Sequence, residues 1–202
     1  MRLNKNIRQT LRIAKIELSS MFYSPVAWLI LVIFALLIGY DYANIFDSQL
    51  HSQSLGNNLW SVSSAIYNSW MTGILKPILR NLYLYIPLIT MGLMSREYQS
   101  GSVKLLYSSP IKNSSIILGK YLAMMCYGAA LMSIIGLNVL FSWLTVENFQ
   151  ISMLLVGMLG IYLLILAYSA IGLFMSTLTA YQVVAAIGTL AVLAVLNFIG
   201  DV

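Results

Sequence analysis

The sequence predicts an all-α integral membrane protein, and three observations carry that prediction. Of 202 residues, 60% are hydrophobic and only 8% charged, whereas a soluble domain holds about 25% charged residues. Five runs are long and apolar enough to cross a bilayer as helices, since roughly 30 Å of hydrocarbon takes about 20 residues at ~1.5 Å each. A basic, amphipathic lead precedes the first of them. Residues 1–202 therefore read as a single transmembrane domain.

The lead occupies residues 1–20. Projected at about 100° per residue, Leu3, Ile7, Leu11, Ala14 and Leu18 fall on one arc and Lys5, Arg8, Arg12 and Lys15 on another, with Ile13 and Ile16 as misfits. A helix of this kind lies in the membrane interface, its cations near anionic headgroups, so membrane lipid is an expected partner; an ordinary positive-inside anchor that only fixes topology is the other reading. Ser24-Pro25 should turn it into the first span, because proline suits the first turn of a helix. The polar lead is too long for a secretory signal, and no small-residue cleavage site follows the apolar stretch.

Spans are expected at 21–40, 78–95, 116–145, 151–175 and 181–199. Pro87 should kink the second of them. No charge occurs from Asn148 to Gly200, and the polar cluster Ser176-Thr177-Leu178-Thr179 with Tyr181-Gln182 is the one break that leaves two spans of workable length. Residues 45–75 form an expected external loop, whose Trp60 and Trp70 suit an interfacial belt. Basic residues are retained inside. Arg2, Lys5, Arg8, Arg12, Lys15, Arg96, Lys104, Lys112 and Lys120 fall on one side, against Lys76 and Arg80 on the other, nine to two for a cytoplasmic N-terminus.

Chemistry-bearing groups are scarce. His51 and Cys126 each stand alone, so no metal site is expected. No nucleophile lies with a base and no phosphate-cradling loop exists; no catalytic residue, cofactor or nucleic-acid partner is expected. No span carries an ionisable residue near its centre, where ion-coupled carriers usually place one, so any driving energy should come from elsewhere. Small residues that let helices approach form stripes at Ala129, Ser133 and Gly136, at Gly157 and Gly160, and at Ala185, Gly188 and Thr189.

The polar connector at 96–115 interrupts the apolar chain. It opens with Arg96 and Glu97, contains the apolar core Val103, Leu105, Leu106 and Tyr107, and closes at Pro110. That pattern suits a short amphipathic helix with a proline stop. Its polar groups need water or a protein partner, and the residues alone leave a solvated loop and a docking helix equally open.

The stretch PLITMGLMSREYQSGSVKLLYSSPIKNSSIILGKYLA resembles the ABC-2 type permeases, particularly the gliding-motility and nitrous-oxide-reductase-maturation group. There a P-x-x-T-M … E-x-x-x-G-T-x-E-L-L-x-x-x-P … L-G-K run joins the second and third spans. IELSSMFYSPVAWLILVIFALLIG and IGLFMSTLTAYQVVAAIG are similar to the family's entry to the first span and its fourth-to-fifth turn. Ser102 stands where threonine is usual, and Lys104 where glutamate is usual, which reverses a charge.

The resemblance implies a type V exporter-like six-span fold, with a sixth run expected beyond Val202. It further implies a bacterial inner-membrane exporter permease that pairs with a second protomer and docks on separate cytoplasmic ABC ATPase subunits, which would hydrolyse the ATP. The ATPase-coupling residues would be Arg96, Glu97, Gly101, Lys104, Leu105, Leu106 and Pro110, with Glu97 at the start of the connector helix. Lys5, Arg8, Arg12 and Lys15 would mark the interfacial elbow. A non-transporting membrane anchor, or an ATP-independent channel or flippase, is the alternative.

Overall fold

A computed structural model describes residues 2–54, 75–108, 111–145 and 151–200. Among these the chain is helical throughout: α1 (Arg2–Tyr23), α2 (Pro25–Ser54), α3 (Leu75–Thr90), α4 (Gly92–Ser100), α5 (Val103–Ser108), α6 (Asn113–Thr145), α7 (Ile151–Leu178) and α8 (Gln182–Gly200). Four segments are long and apolar enough to cross a membrane: Pro25–Ser48, Asn113–Phe141, Leu154–Leu178 and Gln182–Ile199. The remaining expected span is divided between α3 and α4.

The division is one residue wide. Pro87 lies inside α3 and has no N–H to offer the preceding turn. Met91, which separates the two helices, nonetheless keeps helical dihedrals (φ −53°, ψ −35°) and donates its N–H to the Pro87 carbonyl at 3.0 Å. Helix resumes at Gly92 and continues to Ser100, past the expected end at residue 95. It stops at Gly101, whose φ of 71° is left-handed, a conformation that costs a side-chain-bearing residue.

The first span also outruns its expected end. Residues 45–54, read as part of an external loop, continue α2 to Ser54. The polar composition suggested a loop, but residues 41–54 hold no glycine or proline to stop a helix. Tyr42 and Phe46, four apart, stack with ring centroids 6.0 Å apart. Residues 55–74 of that expected loop lie outside the described residues.

The chain forms two compact units. One, made of Leu29–Leu82 and Ala129–Leu163, buries Ile30, Phe34 and Ile38 of α2, Leu82 of α3, Leu131 and Ile135 of α6 and Ile161 of α7. Phe141 of α6 meets Tyr42 edge-on at 6.2 Å. In this unit Ala129 and Ser133 face outward, and a Cβ on Gly136 or Gly160 would meet nothing within 4 Å.

The other unit comprises Met1–Trp28, Tyr83–Gly128 and Leu164–Val202. Its core is a methionine-rich cluster of Leu93, Met94, Met124 and Leu173, edged by Met21, Ile89, Tyr98 and Tyr121; unbranched methionines fill irregular gaps between helices. The α1–α2 turn is pinned from two sides. The Trp28 indole N–H donates to the Phe22 carbonyl at 2.8 Å, and the buried Tyr127 hydroxyl of α6 donates to the Ala27 carbonyl at 2.8 Å. Close helix approach occurs at Gly119, Gly172 and Gly188, where a Cβ would fall 2.7 Å or less from Ile13, Thr90 and Met175 respectively.

Helix α1 presents its faces differently from the simple amphipathic projection. Ile7 and Leu11, on the apolar arc, are 56% and 57% exposed, and Arg8, Arg12 and Lys15 beside them are exposed too. The misfit Ile13 explains itself, because it packs on Gly119. One face of α1 thus meets α6, and another exposes Ile7 and Leu11 beside Arg8, Arg12 and Lys15.

Candidate functional site

Three ionisable groups converge in the second unit. The Lys120 ammonium of α6 lies 2.7 Å from Glu97 Oε1 of α4 and donates to Glu17 Oε2 of α1 at 3.1 Å. The lysine side chain is 2% exposed and each carboxylate side chain 21%. Lys120 sits two turns into a helix whose apolar segment begins at Asn113, where an unpaired ammonium would be costly. Two carboxylates supply what water cannot. Glu97 Oε2 is buried with no partner among the described residues.

The position of each member follows from its helix. On α1, Glu17 is four residues from Ile13 and shares its protein-facing side, so the packing of Ile13 and the Thr10 carbonyl on Gly119 delivers Glu17 to the next residue, Lys120. On α4, Glu97 is four residues before Gly101. Its carbonyl accepts from the hydroxyls of Ser100 at 3.3 Å and Ser102 at 3.4 Å, and those hydroxyls lie 2.8 Å from one another. Glu97 therefore holds Lys120 through its side chain and closes the turn at Gly101 through its backbone.

The junction of α3 and α4 has its own lock. Ser176 Oγ of α7 accepts from the backbone N–H of Met94 at 2.9 Å and of Ser95 at 3.1 Å, and donates to the Met91 carbonyl at 3.1 Å. Thr90 donates to the Ile86 carbonyl at 2.9 Å, and the Ser95 hydroxyl donates to the Met91 carbonyl. Further along α4, Gln99 Oε1 accepts from Gln182 Nε2 of α8 at 3.3 Å. A small cleft of about 180 Å³ opens between α4, α5, α6 and α7, lined by Met94, Tyr98, Val103, Ile116 and Thr177 among others.

The expected coupling residues are distributed over two helices. Arg96 is exposed on α4 and lies back over Gly92, with Nη2 3.1 Å from where a Cβ would be. Glu97 does not open a connector helix: it lies in the last turns of α4, paired with Lys120, because the span continues past residue 95. Gly101 makes the bend through its left-handed backbone, and a Cβ added there would meet nothing within 4 Å. Lys104 is exposed on α5. Leu105 and Leu106 belong to α5, but their side chains, like that of Lys5 on α1, lie outside the described residues, as does Pro110 altogether.

Sequence reasoning missed Glu17 and placed Lys120 only as an inside charge. A signal existed: Glu17 is the sole acid before Asp41, Glu97 the sole acid between Asp47 and Glu147, and Lys120 lies inside an apolar run. Charges so isolated usually find one another. Among the described residues no cluster of histidine, cysteine or carboxylates could hold a metal ion.

Residues 11–202 match the family model described as ABC-2 family transporter protein. No curated protein and no solved structure matches the chain.

Proposed function

The chain belongs to the ABC-2 transporter family and is a multi-pass membrane permease component of an ABC transporter, and from that premise we propose that it is the membrane subunit of an ATP-driven exporter. Two protomers form the pathway, ATP hydrolysis takes place on separate cytoplasmic ATPase subunits, and the N-terminus lies on their side of the membrane. Gly101 and α5 (Val103–Ser108) form the coupling connector, with Arg96, Lys104, Leu105, Leu106 and Pro110 around the docking surface. Helix α1 is the interfacial elbow, its exposed Arg8, Arg12 and Lys15 facing lipid headgroups.

The family match over residues 11–202 carries this reading. The turn at Gly101 supports it, since a left-handed residue ends the long helix and frees a short, partly apolar one beside the polar end of the chain's second span. The outward faces also fit lipid: Leu155, Val156, Phe174, Val183, Ile187 and Phe198 are all more than half exposed, apolar exposure of an extent that soluble monomers avoid.

Co-purification tests the proposal. The full chain in lipid nanodiscs should retain an ABC ATPase subunit encoded beside it and raise that subunit's ATP hydrolysis. A chain that is folded and inserted yet retains no ATPase would be an anchor or channel instead.

A further inference from the structure

We infer that Lys120 is a positioning residue for the connector, its ammonium holding the Glu17 carboxylate of α1 and the Glu97 carboxylate of α4 at once. The inference rests on the permease reading above for its functional consequence, but its geometry stands within one compact unit of the chain.

Lys120 is held in place from behind. Gly119 packs so closely on α1 that a Cβ there would lie 2.7 Å from Ile13 Cγ2 and 3.1 Å from the Thr10 carbonyl oxygen. Lys120, the next residue, is almost fully buried, and its ammonium is set by the two carboxylates rather than by solvent. A point charge between two opposite charges fixes their relative position, because moving either leaves a buried ion without its partner.

What Lys120 holds on the other side is the last full turn before the bend. Glu97 binds the ammonium through Oε1 and accepts the Ser100 and Ser102 hydroxyls at its carbonyl. Ser102 already lies beyond Gly101, so one residue connects the ion cluster to the chain on both sides of the turn. The backbone N–H of Lys104 returns to the Gly101 carbonyl at 3.2 Å, starting α5 from that same turn. The direction in which α5 leaves α4 is thereby referred to α1 through a single ammonium. Without the ammonium the two carboxylates repel, and the solvent-exposed Gln99–Gln182 contact is a weak substitute, since it ties the turn to α8 and not to α1.

The experiment uses the full chain in nanodiscs with Cys126→Ala and spin labels at Ser19→Cys on α1 and Ser108→Cys on α5, positions whose side chains are exposed. The unsubstituted cluster should give one narrow distance peak, and Lys120→Arg should keep it. Glu17→Gln/Lys120→Met/Glu97→Gln, which removes all three charges and leaves no buried ion to unfold the chain, should lose the narrow peak. The same variant should lose activation of ATP hydrolysis by the bound ATPase. A narrow peak retained in the neutral variant overturns the inference, and so does a lost peak with undiminished ATPase activation. Failure of the unsubstituted chain to bind any ATPase would instead sink the permease reading, and the distance measurement on the chain alone would still decide whether Lys120 positions α5.

Discussion

Gly172 of α7 and Thr90 of α3 touch with no room for a methyl group: a Cβ on Gly172 would come within 2.2 Å of Thr90 Oγ1 and 2.7 Å of Thr90 Cβ. Thr90 is fully buried, and its hydroxyl is committed to the Ile86 carbonyl at 2.9 Å. Four residues further along α7, Ser176 reaches the Met91 carbonyl between α3 and α4. The pair Gly172 and Ser176 therefore forms one small face on which the break in the second span rests.

Gly172→Ala should destabilise the chain. Alanine in place of glycine favours a helix by about 1 kcal/mol, but overpacking a buried contact costs about 1–3 kcal/mol, and the second effect prevails because three atoms of Thr90 would overlap the new carbon. Thermal unfolding in detergent should show a lowered midpoint. Adding Thr90→Ala, which removes Oγ1 and Cγ2 but leaves Cβ, should restore part of the loss. A midpoint at or above the unsubstituted value would mean that α7 shifts freely at this contact.

Ser176→Ala removes one acceptor for two backbone N–H groups and one donor to the Met91 carbonyl. A buried polar group left without its partner costs about 1–3 kcal/mol, and the first turn of α4 should loosen. Amide hydrogen exchange at Met94 and Ser95 should accelerate while that of Ile165, at the buried centre of α7, stays slow. Unchanged exchange at Met94 and Ser95 would show that helical carbonyls alone suffice at the junction.

Lys120→Met should lower stability by about 3–5 kcal/mol, the usual result of deleting one partner of a buried ion pair. It leaves the Glu17 and Glu97 carboxylates facing the space the ammonium occupied. The triple change Glu17→Gln/Lys120→Met/Glu97→Gln should recover most of that loss, since removing the whole cluster also removes its desolvation cost. Equal destabilisation by the single and triple variants would mean that the ions contribute net stability rather than relative position. Added salt should change little, because buried pairs are weakly screened.

Much of this was legible in the chain. Hydropathy and length located the long apolar helices, while the second span runs on to Ser100, past the end that its composition suggested. The extension of α2 to Ser54 was hidden because residues such as Asp47, Ser48 and Gln49 are polar without being helix breakers. The Glu17–Lys120 contact joins residues 103 apart in sequence, a long-range pairing that no local period encodes. Small residues gave only a partial clue for a related reason: Gly188 of an expected stripe packs closely on Met175. A glycine stripe states where helices can approach, and only packing decides that Gly119 and Gly172 are used while Gly136 and Gly160 are not.

Docking through α5 makes a sharper demand on its apolar residues than on its charges, because a few buried side chains dominate most interfaces. Leu105→Asp or Leu106→Asp should leave insertion and folding intact and abolish retention of the ATPase. Lys112→Ala, an exposed position outside α5, should have little effect. Pull-down of the ATPase by each purified variant is the measurement. Full binding by both leucine variants, with loss in Lys112→Ala, would move the docking surface off α5.

Gly101 separates conformation from contact at the bend. With φ at 71° and nothing within 4 Å of an added Cβ, the cost of a side chain there is backbone strain and not collision. Gly101→Ala should therefore cost about 1–2 kcal/mol, the penalty of the left-handed region for an ordinary residue. Gly101→Asn should cost less, since asparagine visits that region more readily. If the bend directs α5 toward the ATPase, activation of ATP hydrolysis should fall in the order glycine, asparagine, alanine, in step with stability around the turn. A variant pair that ranks the other way, or an alanine that activates as well as glycine, would show that the left-handed backbone at Gly101 has no part in setting the connector.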